Sequence, residues 1–266
     1  MEADRQKWDA EDYARNSSAQ FQWATELIAK LALKDDEALL DIGCGDGKIT
    51  AELALHLSRG SVVGIDASQA MIATSQTRFP PAKHPNLRFR QMDALHLELQ
   101  EEFDIAFSTS VLHWVRDHHA VLSGVRRCLR PGGRILFQMG AKGNAGEMFS
   151  IVQDMIRSPS WHAAFVGFKA PWHFYAVEDY QVWLPQCGFT PVRIELVPKD
   201  MRHDGVDNLK GWMRTTWFPY TDRLPIERRE AFVDQAVEAY LRLHPLDEHE
   251  RTCMKMVRLE VEAVVR

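Results

Sequence analysis

Cysteine is scarce in this chain and scattered: Cys44, Cys128, Cys187 and Cys253 are the four in 266 residues, and no two form a C-x-x-C pair. That spacing fits neither a zinc ribbon nor a disulfide framework, and a reducing cytoplasm is the simplest expectation. Positive charge is not in excess. The 32 Lys and Arg face 37 Asp and Glu, a net charge of −5, so no global basic field draws the chain to nucleic acid or anionic lipid. Long apolar runs are absent too: nothing approaches the roughly 18 residues that span a bilayer. The opening M-E-A-D-R-Q-K-W-D lacks the basic flank and apolar run of a secretion signal, so neither export nor membrane insertion is expected. Neither His118-His119 nor His162 with His173 has the i,i+4 helical spacing or carboxylate partner of a metal site, and no metal is expected.

What is present is an ordinary globular composition, 45% apolar and 26% charged, with an alternating texture from residue 38 to 139. Ala38–Ile42, Ser61–Ile65, Leu87–Gln91, Phe103–Thr109 and Arg134–Met139 read as strands. Helical patterns separate them: Lys48 to Ser58, Ser68 to Phe79 with Ser68 as cap, and Asp117 to Leu129 with Asp117 as cap. Pro131-Gly132-Gly133 reads as a turn. Alternation of this kind is the pattern of βαβ units on a parallel sheet. Beyond it come a helix over Glu147 to Arg157, an aromatic run from Trp161 to Trp183, and a sixth strand over Thr190 to Val197. Inserted helices follow over Leu209 to Trp217 and Glu227 to Leu243. Residues 254–265 alternate again, with Val257, Leu259, Val261 and Ala263 on one face and Arg258, Glu260 and Glu262 on the other, as for a strand near an edge.

Asp41-Ile42-Gly43-Cys44-Gly45-Asp46-Gly47 joins the first strand to its helix. A dinucleotide fingerprint from Gly43 needs glycine where Lys48 stands, and a phosphate loop needs Ser or Thr where Ile49 stands. Both phosphate readings fail, and with them a nicotinamide-dependent oxidoreductase loses its main support. The acid-x-G-x-G-x-G pattern resembles the first motif of class I S-adenosylmethionine-dependent methyltransferases, whose cofactor carries no phosphate. Asp66 ends the second strand where a carboxylate can accept from a ribose diol, and Asp93 follows the third. All three features fall at the carboxyl ends of successive strands, where open α/β sheets form their ligand crevice.

The resemblance covers residues 35–140 strongly. It implies a Rossmann-like, doubly wound, mostly parallel seven-stranded α/β sheet with an antiparallel last strand and helical insertions forming a cap. The expected organisation is one domain over 1–266: a cofactor-binding core at 35–140, an N-terminal lid segment at 1–30, and cap insertions at 144–187 and 205–250. S-adenosylmethionine is the implied cofactor and S-adenosylhomocysteine its product, with contacts from Asp41, Gly43, Gly45, Asp66, Ala67, Met71, Asp93, Ala94 and Ser108.

Three segments, W-D-A-E-D-Y-A-R-N-S-S-A-Q, L-H-W-V-R-D-H and G-W-M-R-T-T-W-F-P-Y-T-D-R-L-P, resemble the branch holding trans-aconitate and juvenile-hormone-acid methyltransferases. There a glutamine and a tryptophan hold a substrate carboxylate, which implies that role for Gln20 and Trp114, with Tyr13 and Ser17 beside them. The aromatic surplus, Trp172 and Trp212 included, suggests a hydrophobic acid, although core packing accounts for the same residues. A carboxylate is already ionised at neutral pH and needs no general base. A hydroxyl, amine or carbon acceptor would call for one, with His113 the candidate, and a catalytically silent cofactor-binding module is the remaining alternative. The expected partner is a small molecule rather than nucleic acid or a membrane, and monomer and homodimer both stay open.

Overall fold

Strand β1, Ala38–Ile42, is an apolar run broken only by Asp41, and every residue after Ala38 is buried. Continuous burial is what a central parallel strand requires, because both faces of such a sheet are covered. The computed structural model describes residues 18–99 and 103–266, with 18–20 described by their helical backbone alone. β1 pairs in parallel with β2 (Ser61–Asp66) and with β4 (Phe103–Thr109), and β2 pairs with β3 (Leu87–Gln91). β5 (Leu129–Gly140) runs parallel to β4, and β7 (Arg251–Val265) runs antiparallel to β5. With β6 (Phe189–Asp204) the order is β3-β2-β1-β4-β5-β7-β6, the expected doubly wound sheet. Its order reverses between β1 and β4, so the carboxyl ends of those strands flank the crevice where such sheets take ligands.

Helices α1 (Ser18–Ala29), α2 (Lys48–His56) and α3 (Gln69–Arg78) contribute to one apolar cluster. Leu27, Ile28, Leu53, Ala54 and Ile72 pack there with Leu39, Val62, Ile105, Phe107 and Leu136 from the strands. Ser68 caps α3 by accepting from the Met71 amide, and Asp117 caps α4 (His118–Cys128) by accepting from Ala120. Each cap satisfies an amide that a helix start leaves without an internal partner.

Two features depart from the sequence reading. Pro131-Gly132-Gly133 lies within β5, as a register irregularity whose two sides both pair with β4, Leu129 opposite Phe103 and Arg134 opposite Ile105. The closing strand lies next to the edge, between β5 and β6, but its polar face is not turned to solvent: Arg258, Leu259, Glu260 and Val261 are all buried. Alternating polarity reported one face of β7, but partners on both sides and cover on both faces leave little of it to water.

The chain divides into two compact units. The first comprises residues through Lys142 with Trp172–Val197 and Arg258–Arg266, and includes α7 (Val177–Gln186). The second comprises Gly143–Pro171 and Pro198–Val257. Its helices are α5 (Gly146–Arg157), α6 (His162–Phe165), α8 (Val206–Thr216), α9 (Phe218–Thr221) and α10 (Ile226–Leu243). Its core is aromatic: Trp161 meets Phe232 edge-on, Phe165 packs against Phe232 and Tyr220, and the Trp161 indole donates to Gln235 at 2.8 Å. Much of the aromatic surplus noticed in the sequence therefore serves this unit's own packing.

Candidate active site

The glycine loop leaves β1 with Gly43 at φ +77°, and a Cβ there would stand 2.4 Å from both Val111 γ-carbons. Only glycine lets the segment after β4 lie this close to the loop. Gly45, at φ +53°, faces open space instead. Its amide donates to one carboxylate oxygen of Asp66 at 3.0 Å, and the Ser68 amide donates to the other at 2.8 Å. Each oxygen keeps a lone pair for a further donor. Burial raises the Asp66 pKa, opposed by those two amides. Behind the loop, Asp41 is 1% exposed and accepts from the Thr50 hydroxyl at 2.7 Å. Burial pushes its pKa up to about 7 against that bond, with the Asp66 charge adding to the rise.

At the tip of β4 the chain turns through Ser110, φ +60°, into the 3-10 turn Leu112–Trp114. The hydroxyls of Thr109 and Ser110 are buried there with no hydrogen-bond partner among the described residues. The Gly140 amide points at His113 Nδ1, 3.3 Å away. An amide N–H can only donate, so Nδ1 is the acceptor and the ring proton sits on Nε2. Burial, then the nearby Arg258 charge, then His118, hold His113 well below the ordinary imidazole range, so the ring is neutral.

His118 fastens the turn from below. One ring nitrogen faces the Leu112 carbonyl at 2.7 Å and the other the Tyr180 hydroxyl at 2.8 Å. Burial holds its pKa down at about 4. Alongside runs the 172–175 segment: the His173 amide donates to the His113 carbonyl at 2.7 Å, Phe174 stacks on the His113 ring, and Trp172 lies 5.2 Å from Trp114 between centroids.

Of the residues anticipated at the cofactor, Gly43, Gly45 and Asp66 form one bonded loop. Asp93 and Ala94 lie just after β3, half-buried, with Asp93 accepting from the Leu95 amide, and Ala67 is exposed at the end of β2. Met71 is buried at 4%. Ser108 is fully buried and its hydroxyl donates to the Ile42 carbonyl, which ties β4 to β1. Trp114, His113 and Trp172 come together. Trp212 is buried in the second unit against His203 and Trp217. Tyr13 and Ser17 lie outside the described residues, as does the side chain of Gln20.

Two residues were hidden from sequence reasoning. Arg258 and Glu260 read as the solvent face of a closing strand, yet they are 4% and 1% exposed. Arg258 lays its guanidinium 4.6 Å above the Trp23 ring of α1. Glu260 accepts from Lys30 at 2.5 Å, Gln138 at 2.9 Å and Arg193 at 2.7 Å. Burial works to raise its pKa, and the three donors outweigh it. Nothing in R-L-E-V-E distinguishes these charges from surface ones.

Residues 40–137 match the model of the methyltransferase domain family. An uncharacterized methyltransferase of Schizosaccharomyces pombe is 32% identical over 206 residues, covering 73% of this chain and 77% of its own. Trans-aconitate 2-methyltransferase of Methylobacterium nodulans is 26% identical over 257 residues, covering 95% and 96%. Among solved structures, the YcgJ protein from Bacillus subtilis superposes with a TM-score of 0.60 at 15% identity, over 92% of this chain and 99% of its own. The chain belongs to the class I S-adenosylmethionine-dependent methyltransferases. S-adenosylmethionine is its cofactor. The crevice suits that group: open space at Gly45 admits it to the main chain, Asp66 keeps acceptor capacity for hydroxyls, and the Thr109 and Ser110 hydroxyls await a polar partner. Among the described residues, no helix is long and apolar enough to cross a membrane, and no group of three or more His, Cys, Asp or Glu could hold a metal ion.

Proposed function

We propose that this methyltransferase esterifies a small, hydrophobic carboxylic acid. The observation that carries the reading is the His113 ring. With Nδ1 turned to the Gly140 amide and the proton on Nε2, His113 is a donor and not a base, which favours an acceptor that arrives already ionised. A carboxylate does, at any pH well above roughly 4. The relatives named for trans-aconitate, itself an acid, agree with such an acceptor. The half-buried Trp114, Trp172 and Phe174 favour an apolar body behind the carboxyl group.

In this reading Gln20 and the Trp114 indole donate to one side of the carboxylate. Donors without a counter-charge orient the group while leaving an oxygen lone pair free. Asp66 takes the ribose hydroxyls, Asp93 and Ala94 flank the adenine, and Gly43, Gly45, Ala67 and Met71 shape the walls. Bound there, S-adenosylmethionine would supply an electrophilic methyl group on a sulfonium to the acceptor oxygen, with the neutral thioether as leaving group. The protein's share is alignment of oxygen, carbon and sulfur in a water-poor cleft, where effective molarity lowers the barrier. Incubation with S-adenosylmethionine and a panel of medium-chain and isoprenoid acids should yield methyl esters. Methylation of amines, phenols or carbon acceptors alone would overturn the carboxylate reading and leave the methyltransferase intact.

A further inference from the structure

We propose that His118 is a positioning residue for methyl transfer: its imidazole, bridged between the Leu112 carbonyl and the Tyr180 hydroxyl, sets the turn that carries His113 and Trp114. The inference rests on the carboxylate reading for its acceptor and adds what holds the acceptor wall in place. At 1% exposure the ring acts on the acceptor only through that turn.

His118 opens α4 directly after the cap Asp117, where a polar side chain ordinarily faces water, yet it is buried. The Leu112 carbonyl can only accept, so Nε2, 2.7 Å from it, carries the ring proton. Nδ1 is then an acceptor and takes the Tyr180 hydroxyl proton at 2.8 Å. The Met139 sulfur, 3.3 Å from that hydroxyl, is a weaker claimant. The Leu112 carbonyl also accepts from the Val115 amide at 2.8 Å, so both of its lone pairs are used and the first residue of the turn is held from two directions. Tyr180, on α7, is fully buried, which fixes the far end of the bridge.

The facing segment leans on the same ring. Tyr175 packs edge-on against His118 with centroids 4.5 Å apart, and its hydroxyl donates to the Arg116 carbonyl just past the turn. Tyr175 ends the 172–175 segment, which brings Trp172 to Trp114 and stacks Phe174 on His113. One imidazole thus sets the spacing between the turn and the segment opposite. Such a strut specifies position because each bond has one direction, and losing either leaves a buried polar group unpaired.

The test uses the full-length protein with S-adenosylmethionine and decanoic acid, assayed well below the Tm of each variant. His118→Phe keeps a ring and loses both bonds, and kcat at saturating acid should fall at least about tenfold, since an ångström of misplacement can cost about a hundredfold. S-adenosylhomocysteine affinity by calorimetry should stay within about twofold. His118→Gln, whose amide nitrogen can donate where Nε2 stands, and Tyr180→Phe, which leaves the Leu112 bond in place, should each recover most of the lost kcat. Trp114 emission, isolated in each background by subtracting the spectrum of the matching Trp114→Phe protein, should shift in His118→Phe and return in His118→Gln. Should His118→Phe not fold, His118→Asn, which can still accept from Tyr180 but cannot reach Leu112, takes its place with the same expectations. If the variant lacking the Leu112 bond keeps wild-type kcat and Trp114 emission, or if His118→Gln fares no better than it, the ring merely fills space and the positioning role is wrong. If the wild-type protein methylates no carboxylic acid, the carboxylate reading fails first, and the Trp114 emission alone decides the role of His118.

Discussion

Single atoms decide much at the residue scale. Gly43 tolerates no Cβ, because both its left-handed backbone and the Val111 side chain 2.4 Å away exclude one. Gly43→Ala should therefore cost about 1–3 kcal/mol in strain and overpacking, and weaken S-adenosylhomocysteine binding at least about tenfold by calorimetry. Two buried titratable groups should tilt stability in opposite directions. Asp41, raised to about 7 from 3.8, binds protons in the folded state that the unfolded chain has released, so its contribution falls as pH rises from 3.8 to about 7. His118, lowered from 6.5 to about 4, is protonated first in the unfolded chain, so its contribution is complete above 6.5 and drains away as pH falls to about 4. Denaturant melts across that range should show Asp41→Asn gaining on the wild type as pH rises. His118→Phe should lose ground over the same interval. Parallel curves for either variant would contradict the assignment of its charge state.

Elements are held in place by polar ties that their own patterns do not announce. Glu260 on β7 gathers Lys30 just after α1, Gln138 on β5 and Arg193 on β6, so one carboxylate fixes the helix bearing Gln20 against three strands. Glu260→Leu strands cations that are themselves partly exposed, and a loss of about 2–3 kcal/mol is expected by chemical denaturation. The acceptor KM should rise alongside, because α1 carries Gln20. Most elements were legible in advance: β1, β3 and β4 fall where short apolar runs between turn residues put them, and Ser68 and Asp117 cap the helices they precede. β5 was longer than the pattern suggested, since strand pairing with β4 resumes across a Pro-Gly-Gly stretch that local propensity reads as a break.

Cofactor binding at the carboxyl ends of β1 and β4 should register in the stability of the whole molecule. S-adenosylhomocysteine at a hundredfold its Kd adds about 2.7 kcal/mol by mass action, which for a chain of this size is a rise of about 5–10 °C in Tm. No rise with a cooperatively folded sample would remove the crevice from the account. The strand positions along the chain, the glycine loop and the acids at successive strand ends follow from local pattern, because they depend on neighbours within a few residues and on the turn chemistry between them. Residue pattern, together with the family resemblance it carries, thus indicated the fold class and the cofactor and singled out Asp66, Trp114 and His113 as site candidates. Tertiary structure alone decided what those residues can do: the Gly140 amide, from a different strand, makes His113 a donor. It also decided that Arg258 is buried against Trp23, and that Trp212 belongs to a core. Burial and cross-strand partners belong to the assembled sheet, and a side chain's charge state and availability are set by them and not by its place in the chain.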